Sequence, residues 1–143
     1  MKYWLTLVLS FSLRLGGACD YTPFTMAQAC QQADLIVRAR VVALRDSVHY
    51  NLYSDPIKPP FTAGNQPVLR ISRVLKGQWS QPELTLARVI PGDMCAPSFE
   101  VGQEYIVFIS RWQGNYVSSP AYPNFLASDK HARATLHRLL VAK

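Results

Sequence analysis

Five separate stretches of this chain read as strands, two of them through period-two alternation of apolar and polar residues, and the period lengthens toward that of a helix before the first and after the last. In residues 34–44, Leu35, Val37, Ala39, Val41 and Ala43 alternate against Ile36, Arg38, Arg40 and Val42, which predicts a long strand with one face buried. The arginines on its other face mark that face as wet or as meeting a partner. Residues 67–75 alternate again and stop at Lys76-Gly77, and residues 82–90 give a third strand ended by the turn sequence Pro91-Gly92-Asp93. Residues 104–110 form an apolar fourth strand, and Gln113-Gly114-Asn115 turns the chain into a fifth over residues 116–119, so the last two make a hairpin.

Before the first strand, Thr25 followed by Gln28 reads as a capping box that opens a short helix through about residue 32. Met26, Ala29, Cys30 and Ala33 share one face of it, so Cys30 packs inward. After the last strand, Ser128 or Asp129 caps a second helix with Ala132, Leu136, Leu139 and Leu140 along its apolar stripe. Residues 46–66 carry Pro56, Pro59, Pro60 and Gly64, a long loop that cannot pair as a central strand. The predicted fold is all-β with flanking helices: a five-stranded closed barrel of the oligonucleotide- and oligosaccharide-binding (OB) type, since closure removes exposed edges.

The N-terminus changes the picture by setting the compartment. Lys2, an apolar run over residues 4–13 and the small residues Gly16-Gly17-Ala18 read as an export signal over residues 1–18, and Arg14 stops the run far short of the roughly 20 residues that span a bilayer. Residues 19–143 then form one domain, with no length for a second core. The expected location is secreted or periplasmic. A content of 49% apolar and 17% charged residues is that of a folded chain. Net charge is +6, falling to about +4 once Lys2 and Arg14 are removed, which suits anionic lipid or polysaccharide more than nucleic acid for an exported chain.

Catalytic signals are missing from the sequence. His49, His131 and His137 do not stand at metal-ligand spacing, and no nucleophile elbow or glycine-rich phosphate loop is present. The expectation is a non-enzyme with no cofactor and no metal site of its own. Arg38 and Arg40, with Arg70 or Arg73 on the next strand, either form a basic patch for an acidic ligand or are a solvated strand face. Tyr50, Tyr53 and Phe61 in the long loop either pack over the barrel mouth or form an interaction edge.

Several segments together resemble a known family. Cys19 at the mature N-terminus, residues 29–40 (ACQQADLIVRAR), Val74-Leu75-Lys76-Gly77, Cys95-Ala96-Pro97-Ser98-Phe99 and residues 101–108 (VGQEYIVF) look like the N-terminal domain of the tissue inhibitors of metalloproteinases, within the netrin-like modules. The resemblance covers residues 19–119 and implies a closed five-stranded barrel. It also implies inhibition of a zinc metalloprotease, in which the α-amino nitrogen and carbonyl oxygen of Cys19 chelate the partner's zinc. Asp20 would enter the protease's specificity pocket. A Cys19–Cys95 disulfide would hold the N-terminus rigid, contributing roughly 4–5 kcal/mol in the chain-entropy picture.

This chain has three cysteines where animal members of that family carry six in the domain, and Tyr21 stands where the second cysteine of their opening Cys-x-Cys would be. The lost partner's place falls around Ser118 or Ser119. Cys30 is left as a buried thiol, as the partner of Cys95 with Cys19 lipidated, or as one half of an intermolecular bridge. The lipidated alternative rests on Leu15-Gly16-Gly17-Ala18-Cys19, which resembles a bacterial lipobox. It would make the protein a membrane-anchored envelope lipoprotein or interaction module, with a membrane partner only through that lipid. Acylation removes the nitrogen lone pair that zinc needs, so the two readings exclude each other. The partner is accordingly a zinc metalloprotease or another envelope or extracellular protein.

Overall fold

The computed structural model describes residues 21–45, 48–49, 62–64, 66–87 and 97–142. The expected export segment, Cys19, Asp20, Cys95, the aromatics Tyr50, Tyr53 and Phe61, Pro56, Pro59 and Pro60, and the expected turn at Pro91-Gly92-Asp93 lie outside the described residues.

The described chain is held near its start where the Phe24 amide donates to the Ala121 carbonyl at 2.9 Å. Helix α1 (Met26–Gln32) starts at the expected capping box: Thr25 Oγ1 accepts from the Gln28 amide, and Gln28 Oε1 accepts from the Thr25 amide. The five expected strands are β1 (Leu35–Leu44), β4 (Pro67–Lys76), β5 (Glu83–Thr85), β7 (Glu104–Trp112) and β8 (Asn115–Val117). Four short strands were not expected: β2 (Val48–His49), β3 (Thr62–Gly64), β6 (Phe99–Glu100) and β9 (Phe125–Leu126). Helix α2 (Lys130–Val141) ends the described chain, with Asp129 as its N-cap accepting from the Ala132 amide.

The main antiparallel sheet runs β5-β4-β1-β7-β8, with β9 on the same edge of β7 as β8. Three register shifts along the β1–β4 pair, at Ile36/Val37, Arg38/Ala39 and Val41/Ala43, bend these two long strands and curl the sheet. The expected closed barrel is corrected to an open, curled half-barrel. Among the described residues no ladder joins β5 to β8; one hydrogen bond, from the Ala87 amide to the Tyr116 carbonyl at 2.8 Å, links the two edges. The edge-on packing of Trp79 against Tyr116 adds a side-chain contact there. Both edge strands have only three residues, too few to extend the pairing. Strand β3 overturns a second expectation, because it lies between β2 and β6 in a small three-stranded sheet. Thr62-Ala63-Gly64 contains no proline, so each amide there can donate.

Two apolar layers result. Leu35, Val37, Ala39 and Val41 of β1 meet Leu69, Leu84, Phe99 and Val107 inside the curl. Ile36, Ile106 and Phe108 point the other way and are sealed by Ala29 and Cys30 of α1 and Leu136 of α2. The strand read as having one buried face is therefore buried on both at its start, and its outer face becomes wet only from Arg38 onward. Cys30 packs inward as its helical position predicts.

Polar side chains complete the backbone pairing where strands run out. Between β9 and β8, the Phe108 amide donates to Asn124 Oδ1 at 2.9 Å, and Ser118 Oγ donates to the Phe108 carbonyl at 2.8 Å. Asn124 Nδ2 in turn donates to Ser118 Oγ, so two side chains replace the missing rungs. At the other end, Lys76 Nζ donates to the carbonyls of Cys30 (2.8 Å) and Ala33, with Gln31 farther at 3.4 Å. These are the orphan acceptors at the end of α1, whose own last turn has no basic residue. Gly77 follows at φ +83°, and a Cβ there would sit 2.4 Å from the Asp34 carbonyl oxygen, so only glycine fits.

Candidate functional site

The outer face of β1 carries Arg38 and Arg40, and the register places them directly opposite Arg73 and Arg70 of β4. Like charges facing each other across a strand pair are unfavourable unless something neutralises them. Two acids do so in part. Glu104 Oε2 accepts from Arg38 Nη2 at 2.7 Å, and Glu83 pairs with Arg70 at 3.1 Å. Arg40 donates to the Gly102 carbonyl at 3.0 Å, and Arg73 is exposed with no acidic partner among the described residues.

The Arg38–Glu104 pair is the electrostatic centre of this face. The hydrogen bond from Arg38 holds the Glu104 carboxyl below the usual carboxylate range, against the opposing effect of partial burial, with Arg38's charge, a Ser72 hydrogen bond and the charge of Arg40 adding to it. The same hydrogen bond and charge raise Arg38. Ser72 takes part because the Arg38/Ala39 register shift leaves it unpaired in the ladder; its Oγ reaches the Arg38 carbonyl and Glu104 Oε1.

Helix α2 crosses this face and leaves a groove of about 370 Å³ beneath it. The floor is apolar, made by Leu75, Ile106, Leu136 and Leu140, and the rim is basic, made by Arg38, Arg73, Lys130, Arg133 and His137. A second hollow of about 430 Å³ continues past Arg38, Lys130 and Arg133 to Arg40 and Gly102. Among the described residues Glu104 is the only acid lining either hollow, and it is engaged by Arg38. Lys130 and Arg133 belong to the first turn of α2, where the helix dipole already favours negative charge and no acidic residue follows the cap.

The structure thus joins Arg38 and Arg73 of the expected basic patch in one groove, with Arg40 in its extension, and sets Arg70 apart on Glu83. Sequence reasoning missed the contribution of α2. The basic residues Lys130 and Arg133 at the wrong end of a helix were the signal that could have revealed it. His131 and His137 lie on α2, and His49 lies in β2, so the three histidines stay scattered. Among the described residues no three His, Cys, Asp or Glu side chains gather closely enough to hold a metal ion, and no helix is long and apolar enough to cross a membrane. Ser118, one of the two serines expected around the place of the lost cysteine partner, is buried and hydrogen-bonded to the β7 backbone. No protein-family model matches the chain, and no curated protein matches it.

Proposed function

We propose that this chain is an exported, non-catalytic binding domain that acts on a partner protein through its N-terminal segment, in the manner of a metalloproteinase inhibitor. The observation that carries the reading is the course of residues 21–25. Phe24 is anchored to the Ala121 carbonyl and to the Tyr122 ring, Thr25 is extended and Tyr21 is 41% exposed, so the first described residues sit on a fixed support. An anchored segment is pre-organised and loses less free energy on ordering against a partner.

The sheet order adds support. Taken in chain order, the five expected strands are arranged third, second, first, fourth, fifth, and the curl brings the third and fifth within one hydrogen bond of each other. A partly open five-stranded barrel of the OB type has room for that gap. In this reading the Cys19 α-amine and carbonyl occupy the zinc of a partner protease, Asp20 enters its specificity pocket, and a Cys19–Cys95 bridge fixes the geometry.

The test is titration of secreted zinc endopeptidases with the mature protein and with the same protein after selective acetylation of its α-amine. The unblocked form is expected to abolish activity stoichiometrically and the blocked form to leave it intact. Equal effects of the two forms would refute zinc chelation, and acyl chains found on Cys19 would make the protein an envelope lipoprotein instead.

A further inference from the structure

We infer that the groove between α2 and the outer face of β1, β4 and β7 binds a small phosphorylated amphiphile, with its anionic head at the basic rim and its apolar tail on the floor. This inference does not depend on the role given to Cys19.

Charge sets the head group. Arg38, Arg73, Lys130 and Arg133 bring four permanent charges to the rim of one hollow, and Glu104 offsets only one of them. A phosphomonoester carries about −1.5 to −2 charges near neutral pH, which matches the surplus better than a single carboxylate. Arginine guanidinium groups also take phosphate oxygens two at a time. Arg38 Nε is a buried donor without a hydrogen-bond partner, so this side chain is not fully used by Glu104.

Two features of the site work against the stability of the unliganded fold. Arg38 faces Arg73 across the β1–β4 pair, and Lys130 and Arg133 stand at the positive end of the α2 dipole. The Asp129 carboxylate is close in sequence, but it serves as the N-cap and does not line the hollow. Local arrangements that oppose folding and are only partly compensated are typical of binding surfaces.

The floor sets the rest of the ligand. Leu75 and Leu140, both half-buried, line the hollow beneath the cations in front of the buried Ile106 and Leu136, and inorganic phosphate alone would leave Leu75 and Leu140 against water. At about 370 Å³ the hollow is in the range of small-molecule sites, which are roughly 300–1,000 Å³, mostly apolar and carry a few directed polar groups.

The test is an NMR titration of the isotopically labelled full mature protein at low salt with three probes: hexyl phosphate, inorganic phosphate and hexyl glucoside. Hexyl phosphate is expected to saturate one site and shift the amides of Arg38, Arg73, Leu75 and the first turns of α2. Inorganic phosphate should bind the same place at least tenfold more weakly, and hexyl glucoside should not bind. The R73Q/R133Q double variant alters two exposed side chains and should weaken hexyl phosphate at least tenfold at an unchanged thermal midpoint; K130Q provides the same test should that double variant fold poorly. Equal affinity for hexyl phosphate and inorganic phosphate would overturn the inference, as would undiminished binding by the variants or shifts spread over the whole basic surface.

Discussion

Replacing Lys76 with Met keeps the aliphatic stem and removes the ammonium group that closes α1. Two of its hydrogen bonds, to the Cys30 and Ala33 carbonyls, are partly buried, and the third, to Gln31, is long and exposed. A hydrogen bond to a charged group is worth about 1.5–3 kcal/mol net, and a cation at a helix C-terminus adds about 0.3–1 kcal/mol. Water can reach some of the vacated acceptors, since Gln31 and Gln32 are exposed, so the net loss is set at about 2–3 kcal/mol. For a domain of this size that lowers the thermal midpoint by on the order of 10 °C. The effect has a location as well as a size. A seven-residue helix is not stable alone, so α1 should open before the sheet does. Thermal unfolding followed by circular dichroism gives the magnitude, and hydrogen exchange gives the place, with the Ala29 and Ala33 amides losing protection ahead of those of β7. Lys76→Arg should recover only part of the loss, because a planar guanidinium cannot direct donors along three axes. A midpoint within about 2 °C of the parent for Lys76→Met would refute the capping role.

Three further outcomes follow from other contacts. Glu104→Gln should flatten the acid limb of the stability profile: because the folded carboxyl titrates below its ordinary value, its contribution is complete above the usual carboxylate range and is lost as pH falls through the folded value, so parent and variant midpoints should converge as pH drops below that range. Ser118→Ala should cost about 1–3 kcal/mol in urea denaturation and speed exchange at the Phe108 amide, since it leaves the Phe108 carbonyl and Asn124 without their shared partner. Gln113→Asn should stabilise by a few tenths of a kcal/mol to about 1 kcal/mol in the same assay, because Gln113 (φ +48°) and Gly114 (φ +79°) form a two-residue hairpin turn of the left-handed kind that asparagine tolerates better than glutamine. A loss of stability in that variant would contradict the turn assignment.

The parts of the fold that depend on local periodicity were legible in the residues themselves. Thr25 and Gln28 announce α1, the β1 alternation separates Val37 and Val41 from Arg38 and Arg40, and the turn at Gln113-Gly114 marks the hairpin. What could not be read depends on distant partners. The two-residue strands β2, β6 and β9 have too few positions for any period to show. The curl is set by bulges, visible only once β1 is laid against β4, and the open seam between β5 and β8 follows from their shortness. Arg38 and Arg40 were identifiable as a wet face, yet their joining with Lys130 and Arg133 required knowing that α2 returns across the sheet some ninety residues later. Lys76-Gly77 illustrates the same limit: the pair reads as a strand ending, whereas it also closes a helix whose sequence ends more than forty residues earlier.

The proposed inhibitory role is tested most directly by intact-mass measurement and disulfide mapping of the protein recovered after export. The expected result is a chain that starts at Cys19, carries an unmodified α-amine and yields a peptide joining Cys19 to Cys95. A different first residue, the added mass of acyl chains, or Cys95 found joined to Cys30 would contradict it.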